Sequence, residues 1–546
     1  MKSLRHVAYV MAGLVLVTGC KTISNVPVPN GNPIVINAVA KKGTLTENAK
    51  QGWGHLDLLK DSIPGMSLDK AYDFVKNKKG TTVVVAVVDS GTDLEHEDLK
   101  DVAWVNPKEI PGNGIDDDKN GFIDDINGWN FLGSIYKENA ELYRIIKDST
   151  IVDKATYEKV KLAYDKKIEE ATKNEARFGQ ILQAVNFAND NISEKLGTKK
   201  YTKEDLKKID VTSSPVLSQS IAIANQMFDL GLSSLQEAID ELTDLVENAK
   251  DLLEEKAIKK EYRKVLNDNE NSMATKIYGN NKPGHSEKDE SHGSHVSGII
   301  GASRNNGKGM NGVAKNVKIM AVRVVPDGDE YDKDVALGIR YAVDNGAKVI
   351  NTSFGKGYSP KKEWVYDAIK YAEKNDVLIV NAAGNDGKDI DVNVTFPNDT
   401  PDMKNEIADN FLTVGAMSAN YNEKLPASFT NYGKINVDVF APGVEIYSTT
   451  PENEYAYKNG TSMAAPSTAG VAALIRSYYP KLSASQVKHI LMNSGTKIDL
   501  EVVRPGSVSR EKPDGEKVNF SELSVSGRVV NAYNALKMAD QMINGK

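Results

Sequence analysis

The segment "NGTSMAAPSTAG", residues 459–470, places one hydroxyl, Ser462, between Thr461 and Met463, with small residues and Pro466 behind it and Gly460 in front. A serine hydroxyl is a weak nucleophile unless a base takes its proton and a third group orients that base. The oxyanion formed by its attack on a carbonyl also needs hydrogen-bond donors. Without such partners the segment is only a helix start, where Ser or Thr caps well and proline is tolerated in the first turn. Candidate partners are Asp89 in "VVDSGTDLEHEDL", His292 in "SHGSHVSGIIGA" and Asn385 in "NAAGNDG". Each has a plainer reading by itself: a strand-end turn residue, a structural histidine, an Asx-turn. They lie 203 and 170 residues apart in the order Asp89, His292, Ser462, so only a fold can bring them together.

The elements that must do so are legible. "TTVVVAVVDSG" is a continuous apolar run without alternation, the pattern of a parallel strand buried on both faces. Residues 317–325, 347–355, 376–385 and 411–419 repeat it, with helical patterns at 333–345 and 361–375 between them. Strand and helix in alternation predict an α/β fold with a parallel sheet. Asp89, Ser353 and Asn385 fall just past apolar runs, where such a sheet presents its ligands. Ahead of the first strand, Leu68, Ala71, Tyr72 and Val75 share a helical face that Ser67 would cap.

Residues 136–275 differ in character, lacking His, Cys and Trp and rich in Lys, Glu, Ala and Leu. Leu235, Ile239, Leu242, Val246, Ala249 and Leu253 recur at helical spacing behind a Ser234/Glu237 capping box. Tyr157, Val160, Tyr164, Ile168 and Ala171 form a second stripe. The segment is expected to be an all-helical insertion with a supporting or gating role. The predicted organisation is thus 56–135 and 276–546 as one α/β domain, interrupted by the insertion at 136–275.

With 40% hydrophobic and 26% charged residues, the 546-residue chain has an ordinary globular composition. A net charge of −7 and the lack of a basic face point away from nucleic acid. Residues 1–19 have Lys2 and Arg5 ahead of an apolar run from Val7 to Val17, the order of an export signal. Residues 20–55 begin Pro-, Asn- and Gly-punctuated and read as a tether or N-terminal arm. Cys20 is the single cysteine, so no internal disulfide is available.

Asp89-Ser90-Gly91, His292-Gly293-Ser294-His295 and Gly460-Thr461-Ser462-Met463-Ala464-Ala465-Pro466, in that chain order, resemble the motifs of subtilisin-like serine peptidases. The resemblance covers residues 65–130 and 280–540. It implies a subtilisin-like parallel sheet flanked by helices. It also implies a serine endopeptidase with Ser462 as nucleophile, His292 as general base and Asp89 orienting it, and with Asn385 in the oxyanion hole. Ser353-Phe354-Gly355 and Ala382-Ala383-Gly384 would wall the pocket for the residue before the scissile bond, and substrate would bind as an added strand. The family cleaves broadly after large apolar residues; Asp386, beside that pocket, would favour a basic one. No cofactor is required for this chemistry. The partner implied is a protein or peptide substrate. The alternatives are a catalytically silent scaffold of the same fold that binds peptides or proteins, and a triad esterase.

Val17-Thr18-Gly19-Cys20 resembles the lipobox of bacterial lipoproteins, which implies acylation of Cys20 and a membrane-anchored place in the cell envelope. The stretch between Cys20 and the catalytic start is short for a folded propeptide, so activation is expected without cleavage or with the insertion doing part of that work. His96 lies nearer to Asp89 than His292 does, but "LEHEDL" resembles a family segment whose histidine is not the base. A metal site from His285, His292 and His295 lacks a zinc-site context. In "GNGIDDDKNGFIDDING", Asp116, Asp118, Asn120 and Asp124 offer oxygen ligands around Gly121. This is a candidate calcium loop, although Asn127 stands where a bidentate Glu would close it.

Overall fold

The computed structural model describes residues 45–545 apart from 213, 230, 231, 233, 258–260 and 510. The export-signal segment, Cys20 and the tether up to residue 44 lie outside the described residues.

The apolar runs become strands, numbered here in chain order: β1 (Val83–Asp89), β2 (Gly128–Asn130), β3 (Val317–Arg323), β4 (Val349–Thr352), β5 (Leu378–Ala382), β6 (Phe411–Met417), β7 (Val439–Pro442), β8 (Ile446–Thr450), β9 (Glu454–Lys458), β10 (Thr496–Lys497), β11 (Glu501–Val503), β12 (Lys517–Asn519) and β13 (Arg528–Val529). One sheet of nine strands runs β10-β13-β7-β6-β5-β4-β1-β3-β2, parallel except where β10 meets β13. β1 explains why no polar residue interrupts these runs. Val85 and Val87 join an apolar cluster on one face while Ala86 and Val88 join another on the opposite face. Each buried valine contributes about 1.5–3 kcal/mol relative to exposure.

The helices are α1 (Glu47–Gln51), α2 (Leu58–Asp61), α3 (Leu68–Val75), α4 (Glu141–Lys147), α5 (Lys154–Leu196), α6 (Lys203–Leu206), α7 (Pro215–Asp229), α8 (Leu235–Ala257), α9 (His292–Gly301), α10 (Asp332–Asp344), α11 (Lys362–Lys374), α12 (Thr461–Tyr478), α13 (Ala484–Ser494) and α14 (Ala532–Asn544). Residues of α3, α9, α12, α13 and α14 cover one face of the sheet, and α10 and α11 the other.

The insertion is helical as expected, and α5, 43 residues long, packs against α7 and α8. Its apolar side chains form cores of their own. One centres on Val185, Ala188, Ile192 and Leu206, the other on Tyr143, Tyr164 and Ile168.

One expectation needs correction, while the described end of the N-terminal arm packs onto the fold: Trp53 is buried and donates from Nε1 to the Val444 carbonyl at 3.0 Å, and Glu47 accepts from the Tyr457 hydroxyl at 2.6 Å. An indole that can bury its ring while satisfying its N–H anchors the chain there. Ser67 precedes α3 without capping it; its hydroxyl donates to Asp57 at 2.8 Å, because a left-handed backbone (φ 58° for Ser62, 57° for Ser67) folds the connection back on itself.

Candidate active site

Asp89 ends β1, Ser353 follows β4, and Asn385 comes three residues after β5, so adjacent parallel strands deliver all three to one edge of the sheet. His292 opens α9 and Ser462 lies in the first turn of α12. The fold thus brings His292 to Asp89, and Ser353 and Asn385 to the first turn of α12. His292 Nδ1 donates to Asp89 Oδ1 at 2.7 Å, which leaves Nε2 as the basic nitrogen. Asp89 is fully buried; Oδ1 also accepts from Ser90 N at 2.8 Å, while Oδ2 has no partner among the described residues. A buried, under-solvated carboxylate gains most when the imidazole beside it turns cationic.

The Ser462 hydroxyl donates to the Ser353 carbonyl at 3.0 Å. The reciprocal bond explains Pro466. Its missing N–H leaves the carbonyl of Ser462, four residues back in α12, without a helical donor. Ser353 Oγ donates to that carbonyl instead, at 3.0 Å. The proline therefore frees a carbonyl that ties α12 to the segment following β4.

The amide of Asn385 is oriented by Thr461. Its Oδ1 accepts from Thr461 N at 2.9 Å and Thr461 Oγ1 at 3.0 Å, while Gly384 N donates to that same hydroxyl at 3.0 Å. With two donors fixing the oxygen, Nδ2 faces the other way. A Cβ built on Gly460 would stand 3.5 Å from Asn385 Nδ2 and 3.5 Å from Ser462 N. Asn385 Nδ2 and Ser462 N thus both lie beside Gly460, at the positive end of α12. Gly355 is likewise required: a Cβ there would lie 2.9 Å from the Phe396 carbonyl oxygen. Ser353, Ala382 and Ala383 are buried, Phe354 and Gly384 half-buried, and Gly355 and Asn385 exposed.

The rival groups are used elsewhere. His96 is buried, its Nδ1 accepting from Asp98 N at 3.1 Å and its Nε2 donating to the Glu454 carbonyl at 3.0 Å. His295 donates from Nε2 to the Ala456 carbonyl at 3.0 Å, and burial pulls its pKa down to about 3. Asp386 is 57% exposed and lies 3.7 Å from Lys388.

Several contributors escaped the sequence reading. Ser90 Oγ accepts from Gly293 N at 3.0 Å, joining the Asp and His segments. Lys458 donates to Ser291 Oγ at 2.6 Å; burial draws its pKa below the lysine range, and the Asp89 charge pushes it back up. Glu109 joins Asp116 and Asp118 in a group of carboxylates within 4.8 Å of one another. Asp124 accepts from Gly112 N and Gly114 N, both at 2.9 Å, and the Asn120 oxygen from Phe122 N at 2.7 Å. The Asp-Ser-Gly and Gly-Thr-Ser triplets carried a signal for Ser90 and Thr461, since small polar neighbours of reactive groups are available to orient them.

The family model of the subtilases matches residues 80–517. Subtilisin DY of Bacillus licheniformis is 39% identical over 211 residues, 38% of this chain and 71% of its own length. Thermitase of Thermoactinomyces vulgaris is 40% identical over 208 residues, 38% of this chain and 68% of that protein. The cell wall-associated protease of Bacillus subtilis is 38% identical over 219 residues, 40% of this chain and 22% of that protein. A solved protease from Pseudoalteromonas arctica aligns over 90% of this chain and 97% of its own at 21% identity, with a TM-score of 0.45. With its parallel sheet and the family match over most of its length, the chain belongs to the subtilase family of subtilisin-like serine endopeptidases.

Proposed function

We propose that Ser462, His292, Asp89 and Asn385 carry out peptide-bond hydrolysis through an acyl-enzyme. Ser462 Oγ attacks the scissile carbonyl carbon as its proton passes to His292 Nε2. Asp89 holds the Nδ1–H and offsets the imidazolium charge. The carbonyl electron pair moves onto oxygen, which Asn385 Nδ2 and Ser462 N stabilise. Collapse of this intermediate breaks the C–N bond, and His292 returns its proton to the leaving amine. Water then attacks the acyl ester as His292 takes its proton, and collapse breaks the C–O bond while His292 returns that proton to Ser462 Oγ, releasing the acid product. The observation that carries the reading is the 2.7 Å Asp89–His292 contact, in a fold that also sets Asn385 Nδ2 and Ser462 N both 3.5 Å from a Cβ built on Gly460. Labelling with a fluorophosphonate tests it: the chain from residue 21 is expected to react and its Ser462→Ala variant not to. Absence of labelling in both, from folded protein with calcium present, would instead support a silent peptide-binding scaffold.

We further propose a structural calcium ion at Glu109, Asp116 and Asp118. Three hard carboxylate donors converging this closely suit Ca²⁺, which takes six to eight oxygens. Its contribution would be to the loop before the insertion, with no part in the reaction. The lipobox-like sequence supports acylation of Cys20 and an envelope location. A Cys20→Ala variant expressed with labelled palmitate is expected to lose both the label and membrane fractionation.

A further inference from the structure

Residues flanking the sheet edge define where an extended peptide fits. The chain leaves β3 through Val324–Asp329 and β4 through Ser353–Gly355, while β1, between them, stops at Asp89, whose carbonyl accepts from Val324 N at 2.9 Å and Val325 N at 3.2 Å. Because β1 ends between them, the two exits flank the place its continuation would take. Neighbouring strands lie about 4.8 Å apart, so banks two spacings apart admit one extended chain.

The outer side of the first bank is taken by the insertion. Asp327 N donates to the Tyr136 carbonyl at 2.7 Å and Glu138 N to the Asp327 carbonyl at 2.8 Å. Glu141 N, at the start of α4, donates to Asp329 Oδ2 at 2.6 Å, and Arg144 donates to the carbonyls of Asp329 at 2.9 Å and Glu330 at 3.0 Å. Lys356, next to Gly355 on the second bank, reaches the same cluster. Its Nζ donates to Glu141 Oε2 at 2.6 Å, the Glu330 carbonyl at 2.7 Å and Asp332 at 2.9 Å. Glu141 Oε2 also receives Arg144 at 2.6 Å, so one carboxylate oxygen joins Lys356 of the second bank to the arginine that holds the Asp329 and Glu330 carbonyls. All three side chains are buried.

On its other side α4 belongs to the insertion, where Tyr143, Leu142 and Ile146 pack with Tyr164, Ile168, Leu252 and Leu253. The returning leg grips the same segment through Arg263, which pairs with Asp334 at 2.7 Å. The legs meet the catalytic part around a cavity of about 650 Å³ lined by Glu141, Arg144, Arg263 and Lys361, while Leu266 and Met273 of the returning leg pack against the core on the α10–α11 face of the sheet.

We propose that the helical insertion is a positioning element for extended substrate: Glu141 and Arg144 on α4, together with Lys356, set the spacing of the two banks that receive the residues upstream of the scissile bond. The proposal rests on the endopeptidase reading above and adds a role for the insertion to it. Glu141, Arg144 and Lys356 act through the banks and are positioning residues.

The test uses the chain from residue 21 and its Glu141→Gln and Lys356→Met variants. Each is assayed on chromogenic substrates with one to five residues before the scissile bond, alongside the rate of fluorophosphonate labelling. In the parent chain kcat/KM is expected to rise with substrate length. In the variants KM for the longest substrate is expected to rise about 10–100-fold, the scale of an ångström-sized misplacement, with labelling and the shortest substrate changed less than about twofold. Lys356→Arg, which keeps the charge, should recover part of the loss, and it supplies the same readout if the other variants do not fold. Equal losses at every length and in labelling would overturn the proposal in favour of a purely structural role, and unchanged length dependence would overturn it outright. A parent chain that neither labels nor turns over would instead remove the endopeptidase reading beneath it.

Discussion

The catalytic centre and the helical insertion are held by different forces. At the centre, backbone groups and small side chains do the fixing: Thr461 N and Oγ1 on Asn385, Ser353 on the carbonyl that Pro466 leaves free, and Ser90 on Gly293. At the insertion, Glu141, Arg144, Arg263 and Lys356 make the connection through charge. Backbone-fixed groups have no alternative partner to turn to, whereas long charged side chains can rearrange or be replaced. If, as proposed, reaction chemistry belongs to the first region and substrate placement to the second, substitutions in the two should separate kcat from KM.

The largest effect should come from the oxyanion donors. Asn385→Ala removes one donor and should lower kcat by roughly 10²–10³ with little change in KM, a loss already established for such a donor in this family. Gly460→Ala should act on the same point by another route, because its methyl carbon would occupy the space 3.5 Å from each donor. The double variant should then lose little more than either single one, a non-additivity that steady-state kinetics would show. Additive losses would mean that Gly460 serves the backbone conformation and not the hole.

How much of this the sequence revealed follows the same division. Strands such as Val83–Asp89 were legible because burial on both faces leaves an uninterrupted apolar run, and their ends marked Asp89, Ser353 and Asn385. Pro466 read as a helix-start residue because its effect lies in a bond between Ser353 and Ser462, 109 residues apart. Glu109 escaped because it lies seven residues before Asp116, outside the alternating loop pattern, and is turned inward by accepting from Asp117 N and Asp124 N. Contacts between Lys356 and Glu141 span 215 residues and join a helix to a strand end, a pairing that no local periodicity encodes.

Calcium should matter next, and for stability more than for rate. An ion present at 100 times its dissociation constant stabilises by about 2.7 kcal/mol, which for a chain of this size is roughly 3 °C in Tm. Chelation should lower Tm by that amount, and Glu109→Gln should abolish the difference while leaving kcat on a short substrate near the parent value. An equal response to chelator in parent and variant would place the ion elsewhere.

A pH effect of similar size should come from His295. Burial holds its pKa at about 3, below the 6.5 of an unfolded histidine. Between those values the unfolded chain binds a proton that the folded chain refuses, so stability falls as pH drops through 6.5 toward 3, by about 2 kcal/mol at pH 5. His295→Gln keeps a donor for the Ala456 carbonyl and should flatten this part of the acid decline, seen as a smaller change in urea midpoint between pH 7 and pH 5. An unchanged slope would assign the decline to other groups.

The smallest effect should come from Asp386, although it is the immediate neighbour of Asn385. Its carboxylate is 57% exposed and lies 3.7 Å from Lys388, so water and a counter-charge already satisfy it. Exposed pairs of this kind contribute about 0–1 kcal/mol and weaken further with salt. Asp386→Asn should thus change the ratio of kcat/KM for lysine against phenylalanine before the scissile bond by less than about threefold, and less again at high salt. Glu141 is much farther from Ser462 along the chain, yet its charge is buried and shared between Arg144 and Lys356. If neutralising Asp386 altered substrate preference more than neutralising Glu141 altered KM, burial would not be what gives a charge its influence here. The division between a backbone-held centre and a charge-held insertion would then have to be redrawn around distance from the serine.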